Sequence, residues 1–521
     1  MMTIRNHGIN RIMGFILAAL AMVPLLSLLT SCQSKTESSE LERIRTTGHL
    51  TVLTRTHPAL HHDRLDHTAG FEREMIVSFA HYLRVTPTIV PLQGEGEQEL
   101  FERLRRGEAD IGAMGVTQRL TLEQDFLYGP IYQNVDQQVV CRRGGRQPAN
   151  LLQLGSTSLV VMRDSPHEVR LRQLQQLVPE LSWVSVDHLS TTQLLEKVWL
   201  GELECTIADS DVVAIHHRYW PELTVHFSIG ATLPVSWILP KRSTALQQEM
   251  LAWFDQVRVN GFLDDLQELY FGHIDPDRFD YVDHTQFFHR ISERLPLYRS
   301  LFQTAEKRHQ VPWTLLAAMS YQESHWDPNA TSATGVRGLM MLTNPTAQDI
   351  GVKNRLDPEE SILGGASYLA DILRQLPEEI REPDRTWIAM AAYNVGFGHL
   401  QDARELAIQQ GKNPNVWREL KTVLPLLSVE KYYKALSRGQ ARGMEPVRYV
   451  QMIRHYHDLL IRHEELRQAP KTRQNTVPIP LPGVKSPSSA AAFPVPGGAR
   501  RHRSSQAIAC HPASSRRPQR S

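Results

Sequence analysis

Cysteine is scarce in this chain: four in 521 residues, at Cys32, Cys141, Cys205 and Cys510. They are too few and too scattered for a disulfide framework or a cysteine-rich zinc site. An excess of one charge is missing as well, since 57 lysines and arginines stand against 56 aspartates and glutamates, for a net charge of +1. A nucleic-acid binder needs a clear basic excess to release counterions, so that class drops out. Only one stretch, Ile12 to Leu29, is apolar enough to enter a bilayer. What remains, 41% apolar and 22% charged, has the make-up of an ordinary soluble globule. Its length allows about three folding units, each with ample core.

The two ends read differently from the middle. Arg5 and Arg11 precede the apolar run, which stops at Thr30-Ser31-Cys32 and gives way to Gln33-Ser34-Lys35, the shape of an export signal. Leu29-Thr30-Ser31-Cys32 resembles the bacterial lipoprotein signal. The resemblance implies removal of residues 1–31, lipidation of Cys32 and, with Gln33 rather than Asp next, sorting to the periplasmic face of the outer membrane. An uncleaved anchor is the alternative. A lipid anchor gains roughly 0.8 kcal/mol per buried methylene, enough with several chains for lasting attachment. Residues 32–44 read as a linker, and 466–521, rich in Pro, Ser, Arg and Ala, as a disordered tail that buries too little apolar surface to offset its ordering entropy. Its Arg500, Arg501 and Arg503 are either simply solvated or in touch with anionic polymers. Cys141 and Cys205 leave two readings open: paired in an oxidising compartment, or two buried thiols.

From 45 to 272 short β-branched runs alternate with helical patterns, as in Leu50-Thr51-Val52-Leu53, Phe71 to Leu83 and Pro87-Thr88-Ile89-Val90-Pro91. Such alternation predicts a mainly parallel α/β sheet. Gly48-His49-Leu50-Thr51-Val52, Gly70-Phe71-Glu72-Arg73-Glu74-Met75, Leu104-Arg105-Arg106-Gly107-Glu108-Ala109-Asp110-Ile111 and Gly201 to Ser210 together resemble the family-3 bacterial solute-binding proteins. The resemblance implies two lobes closing on a small ligand, with Asp209 at the position that takes the ligand's amino group. Leu122 falls where the family's carboxylate-gripping arginine belongs, and Arg119 lies one helical turn earlier. A bidentate clamp is geometrically strict, so the ligand is either an amino acid or muropeptide held differently, or the cleft is only a spacer. His61-His62-Asp63-Arg64-Leu65-Asp66-His67 reads as a polar loop ahead of a metal site.

Residues 273–290 read as a second linker, and from 291 to 465 long helical patterns take over. The predicted fold is thus multidomain: an α/β two-lobed, periplasmic-binding-protein-like domain followed by a mainly α domain. Pro312 suits a first helical turn, Leu315, Leu316 and Met319 form an apolar stripe, and Glu323 continues it. A carboxyl on a buried face is either half of a structural ion pair or an acid whose pKa is raised by desolvation. Tyr321-Gln322-Glu323-Ser324-His325-Trp326-Asp327, then Ser332 to Leu342, then Ala391-Ala392-Tyr393-Asn394-Val395-Gly396, resemble in this order the lytic transglycosylases of the goose-type lysozyme fold.

That resemblance implies Glu323 as the sole catalytic acid/base, Ser332 and the Gly335–Leu342 turn lining a saccharide groove, and Tyr393 and Asn394 positioning the acid and the sugar. Tyr449-Val450 matches the family's closing motif. Met341 stands where most relatives carry glutamine, replacing a polar contact by a polarizable apolar one. The expected reaction cleaves peptidoglycan strands and leaves 1,6-anhydro muramic ends, with no cofactor and no metal. Glycosidases ordinarily use two carboxylates, about 5 to 9.5 Å apart. The nearest in sequence, Asp327, precedes Pro328 and reads as a turn former. Two competing readings are a ligand-binding receptor with a non-catalytic wall-docking domain and a lysozyme-type hydrolase.

Overall fold

The computed structural model describes residues 39–55, 62–64, 67–92, 97–187, 189–273 and 281–468. The export signal with Cys32, the tail beyond 468 and Cys510 lie outside the described residues. Among the described residues no helix is long and apolar enough to cross a membrane.

The chain divides into two compact units. In the first, β1 (His49–Arg55) buries Leu50, Val52 and Leu53, and the short β2 (His62–Arg64) pairs antiparallel with β3 (His67–Ala69) where a polar loop is read from the sequence. Helix Phe71–Leu83 follows, burying Phe71, Met75, Ile76, Phe79, Ala80 and Leu83 at the three- and four-residue intervals of one helical face. Strand β4 (Thr86–Leu92) and β5 (Ile111–Thr117) then flank β1 in parallel. The sheet is nevertheless mixed, not mainly parallel: β6 (Phe126–Val135) and β12 (Leu233–Pro240) complete the order β4-β1-β5-β12-β6, and β12 runs antiparallel to both neighbours. The physical reason is in the connections. Strand β12 returns from β11, a strand of a different sheet, through residues 229–232, and inserts between β5 and β6 against the direction they share.

The second unit holds the strands β7 (Gln137–Arg142), β10 (Cys205–Asp209) and β11 (Leu223–Ser228), which form an antiparallel sheet of order β10-β7-β11. A parallel pair, β8 (Val160–Met162) and β9 (Val184–Val186), stands beside them in sequence. Cys141 and Cys205 face one another across β7 and β10, fully buried, and are joined by a disulfide. Of the two sequence readings, pairing is the one found.

The rest of this unit is helical, with one core running from Phe287 to Leu460. Parts of both supposed linkers are helices that bury apolar side chains. Tyr281–Glu293, overlapping the span 273–290, places Phe287 and Ile291 in that core, and Glu40–Thr47, overlapping 32–44, buries Leu41 and Ile44. Both segments mix charge with widely spaced apolar residues, so the apolar stripe is short and easily taken for a polar connector.

Candidate active site

Helix Trp313–Ser324 is buried almost all round: Leu315, Leu316, Ala317, Ala318, Met319, Ser320, Tyr321 and Ser324 are inaccessible. It ends abruptly, with His325 and Trp326 both at positive φ, 52° and 56°. Trp326 is held in that strained turn by complete burial and by its indole N–H, which donates to the Ala317 carbonyl at 2.9 Å. The turn fixes the last helical residues. Glu323 is one of them, half-buried at the end of a helix whose other face lies in the core.

Burial pushes the Glu323 carboxyl from 4.5 up to about 7, against the opposing effect of a hydrogen bond from Tyr449. That bond is short: the Tyr449 hydroxyl donates to Glu323 Oε1 at 2.6 Å. Tyr449 itself is buried, and its hydroxyl is pushed well above its ordinary range, first by burial and then by the negative charge of Glu323. It therefore remains a donor at any physiological pH. Among the described residues no second carboxylate contributes to the shift at Glu323. Asp327 instead accepts from the Asn329 N–H at 3.0 Å, closing its own turn.

The segment from Ser332 to Leu342 is fastened to this helix by hydroxyl groups. Ser320 and Ser324, flanking Glu323 on the helix, both donate to the Leu339 carbonyl, at 3.0 and 2.9 Å. Tyr393 donates to the Met340 carbonyl at 2.9 Å, and the Met340 N–H donates to Ser361 Oγ at 3.1 Å. Arg355 adds bonds to the Gly335 and Leu342 carbonyls, at 3.0 and 2.8 Å. Gly338 has φ 83°, and a Cβ there would lie 1.8 Å from the Arg355 carbonyl oxygen, so no other residue fits. Ser332 Oγ accepts from the N–H groups of Thr334 and Val336, at 3.2 and 3.3 Å, and so shapes its own turn. Met341 is half-buried at φ 48°, and Asn394 is exposed at the end of helix Asp384–Val395. Tyr393 touches the loop and feels the charge of Glu323, while the hydroxyl on the acid belongs to Tyr449.

Two family models match the chain: the family-3 bacterial extracellular solute-binding proteins over residues 50–273, and the transglycosylase SLT domain over 300–416. Membrane-bound lytic murein transglycosylase F 1 of Alkalilimnicola ehrlichii is 43% identical over 454 residues, spanning 86% of this chain and 91% of that protein. Membrane-bound lytic murein transglycosylase F of Shewanella baltica is 44% identical over 435 residues, 83% of this chain and 90% of that one. The chain belongs to the membrane-bound lytic murein transglycosylase F family. It is accordingly a peptidoglycan-cleaving enzyme with a solute-binding-like region in front. An ancestral arginine-binding protein bound to arginine is similar to the front region, at 17% identity over 43% of this chain and 98% of its own, with a TM-score of 0.39.

In this family architecture the two front-region candidates each have a partner within their own unit. Arg119 is ion-paired with Glu97, and its backbone N–H donates to the Tyr128 hydroxyl at 2.8 Å. Asp209, at the N-terminus of helix Ser210–His217, lies 3.1 Å from His167 Nε2. Sequence reasoning placed Tyr449 in a motif without giving it a task. The available signal was its place on the buried face of helix Met444–Gln468, in step with Val450, Ile453, Tyr456 and Leu460.

Proposed function

We propose that Glu323 alone supplies the acid and the base for cleaving the MurNAc-β-1,4-GlcNAc bond, and that the chain acts as a lytic transglycosylase, not a hydrolase. The carrying observation is a desolvated carboxyl with pKa about 7 that is hydrogen-bonded by a tyrosine and not by a second acid. Protonated Glu323 gives its hydrogen to the bridging oxygen as the C1–O bond breaks, and GlcNAc leaves as the alcohol. The resulting carboxylate takes the proton from the C6 hydroxyl of the same muramic residue, whose oxygen closes on C1. Atoms balance without water, and Glu323 is reprotonated for the next turnover. The attacking hydroxyl is tethered to the reacting ring, so its effective molarity replaces an activated water. Ser332, Met341, Tyr393 and Asn394 are assigned to the saccharide groove. Mass spectrometry of digested murein sacculi tests the reading: anhydro ends are expected, and Glu323→Gln should lower their release by 10³-fold or more, roughly the weight of an essential general acid. Reducing ends from wild type, or full activity in Glu323→Gln, would reject it.

The same reading places the protein on a membrane in the periplasm, at the outer membrane through lipidated Cys32. Two features support it: the relatives are named membrane-bound, and a buried disulfide at Cys141–Cys205 suits an oxidising compartment. The front region takes an amino acid or a muropeptide stem, with Arg119 and Asp209 as the residues that meet it. Because both already carry partners, binding must displace Glu97 or His167 and should be weak for a plain amino acid. Calorimetry on the full chain with tri- and tetrapeptide stems checks this. No heat with either would leave the region a spacer.

A further inference from the structure

Helix Met444–Gln468 carries more than the partner of the acid. Nine residues beyond Tyr449, at 100° per residue, Asp458 lies on the opposite face and about 14 Å along the axis. Asp458 Oδ2 accepts from Arg218 Nη1 at 2.7 Å and lies 2.7 Å from His273 Nε2, which is itself 2.9 Å from the same guanidinium nitrogen. Five residues beyond Tyr449, Arg454 donates to Glu268 Oε1 at 2.9 Å and to the Glu268 and Leu269 carbonyls at 2.7 and 3.0 Å, with its guanidinium 3.8 Å from the centre of the Trp387 ring. Arg218, Glu268 and His273 all fall in the stretch that matches the solute-binding family, while Arg454 and Asp458 lie beyond the stretch that matches the transglycosylase domain. The charged groups are nearly inaccessible: Arg218 is 8% exposed, Glu268 7% and Arg454 6%. Buried charges of this kind are strongly unfavourable once either partner is removed, so the grip does not fray as a surface ion pair would.

One face of this helix therefore holds the acid, and the other is held by the front region. We propose that Asp458 and Arg454 are positioning residues for the cleavage reaction, through which Arg218, His273 and Glu268 of the solute-binding region set the Tyr449 hydroxyl against Glu323. This deepens the function proposed above and rests on Glu323 being the acid. Loosening the grip lets the helix shift, lengthens the Tyr449–Glu323 bond and removes its stabilisation of the carboxylate. The group that acts on Glu323 is the Tyr449 hydroxyl, by the bond, while Tyr393 lies close enough that burial and then the Glu323 charge push its own hydroxyl up. Among the described residues Tyr449 is the side-chain donor that bonds Glu323.

The test is the pH profile of kcat/KM for release of anhydro-muropeptides by the full chain. In Tyr449→Phe the basic limb should move up by about one unit, since the acid loses a hydrogen bond that favours its charged form. Asp458→Asn should move it the same way by about half a unit, with a fall in kcat and little change in KM, and should add nothing in the Tyr449→Phe background. The position of a limb does not depend on how much of the sample is folded, so partial loss of protein leaves the measurement valid. If Asp458→Asn does not fold, Arg218→Lys, which keeps the charge but loses the planar fork, is read in the same way. A limb at the wild-type pH in these variants, with activity falling only in proportion to folded protein, overturns the proposal. Full activity in Glu323→Gln would instead overturn the acid on which it rests, so the two failures are told apart in one assay.

Discussion

Glu323 keeps its proton because the apolar neighbours of helix Trp313–Ser324 strip away more hydration than one phenolic hydrogen bond returns. A carboxyl titrating at about 7 is half protonated under ordinary conditions, the state that the proposed donation and acceptance by one group require. Activity should therefore fall as pH rises through about 7, because the acid form disappears; a pH–rate profile checks it, and a basic limb below 5 would contradict the burial account. The same shift has a stability consequence. The folded pKa lies above the unfolded value, so the native state binds more protons between 4.5 and about 7, and stability drops as pH rises through that window. Two and a half units correspond to at most about 3 kcal/mol, and to about 2 once the partial exposure of Glu323 is allowed for. Glu323→Gln should hence be more stable than wild type at pH 8, and lose that advantage at pH 4. Denaturant unfolding of both proteins at the two values measures the difference, and equal stabilities at pH 8 would mean that the carboxylate is not desolvated.

At the scale of elements, the segment from Ser332 to Leu342 is rigid because four hydroxyls and one guanidinium satisfy its backbone. Two glycines in it separate strain from crowding. Gly335 and Gly338 share a positive φ, 82° and 83°, but a Cβ at Gly335 meets nothing within 4 Å whereas at Gly338 it strikes the Arg355 carbonyl. Gly335→Ala should cost about 1 kcal/mol from the left-handed backbone alone. Gly338→Ala should cost at least about 3 kcal/mol and displace the neighbouring Met340 and Met341 backbone. Thermal melts check the ranking, and a Gly338→Ala protein as stable as Gly335→Ala would show that the loop yields freely. The spacing Leu315, Leu316, Met319, Glu323 made the acid's helix and its buried face legible from sequence, because helical periodicity is local. The hydroxyl that meets the acid was not, since Tyr449 lies 126 residues away and only packing brings it there. Ser332, placed along the groove by resemblance alone, also accepts from the Thr334 and Val336 N–H groups and so shapes its own turn, a contact that residue type does not announce. Strand direction in the front sheet was hidden too, because β-branched runs mark a strand but not the neighbours between which it inserts.

For the whole molecule, the question is what ties a solute-binding-like region and a transglycosylase region into a single stable chain. Buried ion pairs are one device, and their grip is specific but contributes little net stability, because desolvation offsets most of the attraction. The disulfide works differently. Cys141 and Cys205 close a loop of 64 residues, which spans β8 and β9 and the helices between them, and removing the bond should release about 4 kcal/mol of loop entropy to the unfolded chain. Both sulfurs are fully buried, so once formed the bond is shielded from soluble thiols. Cys141→Ala with Cys205→Ala should accordingly lower the denaturation midpoint, read by calorimetry on the full chain. Since the pair joins adjacent strands of one sheet, the early part of the unfolding transition should carry the loss. The bond also reports on where the chain folds. Protein taken from its own cell envelope, unfolded and alkylated without reductant, should yield no labelled thiol at 141 or 205. The same chain made without export in a reducing cytosol should yield both, with the lower midpoint of the double variant. Free thiols at these positions in the envelope form would sever the link between the disulfide and an oxidising compartment, and leave β7 and β10 held by their ladder and core alone.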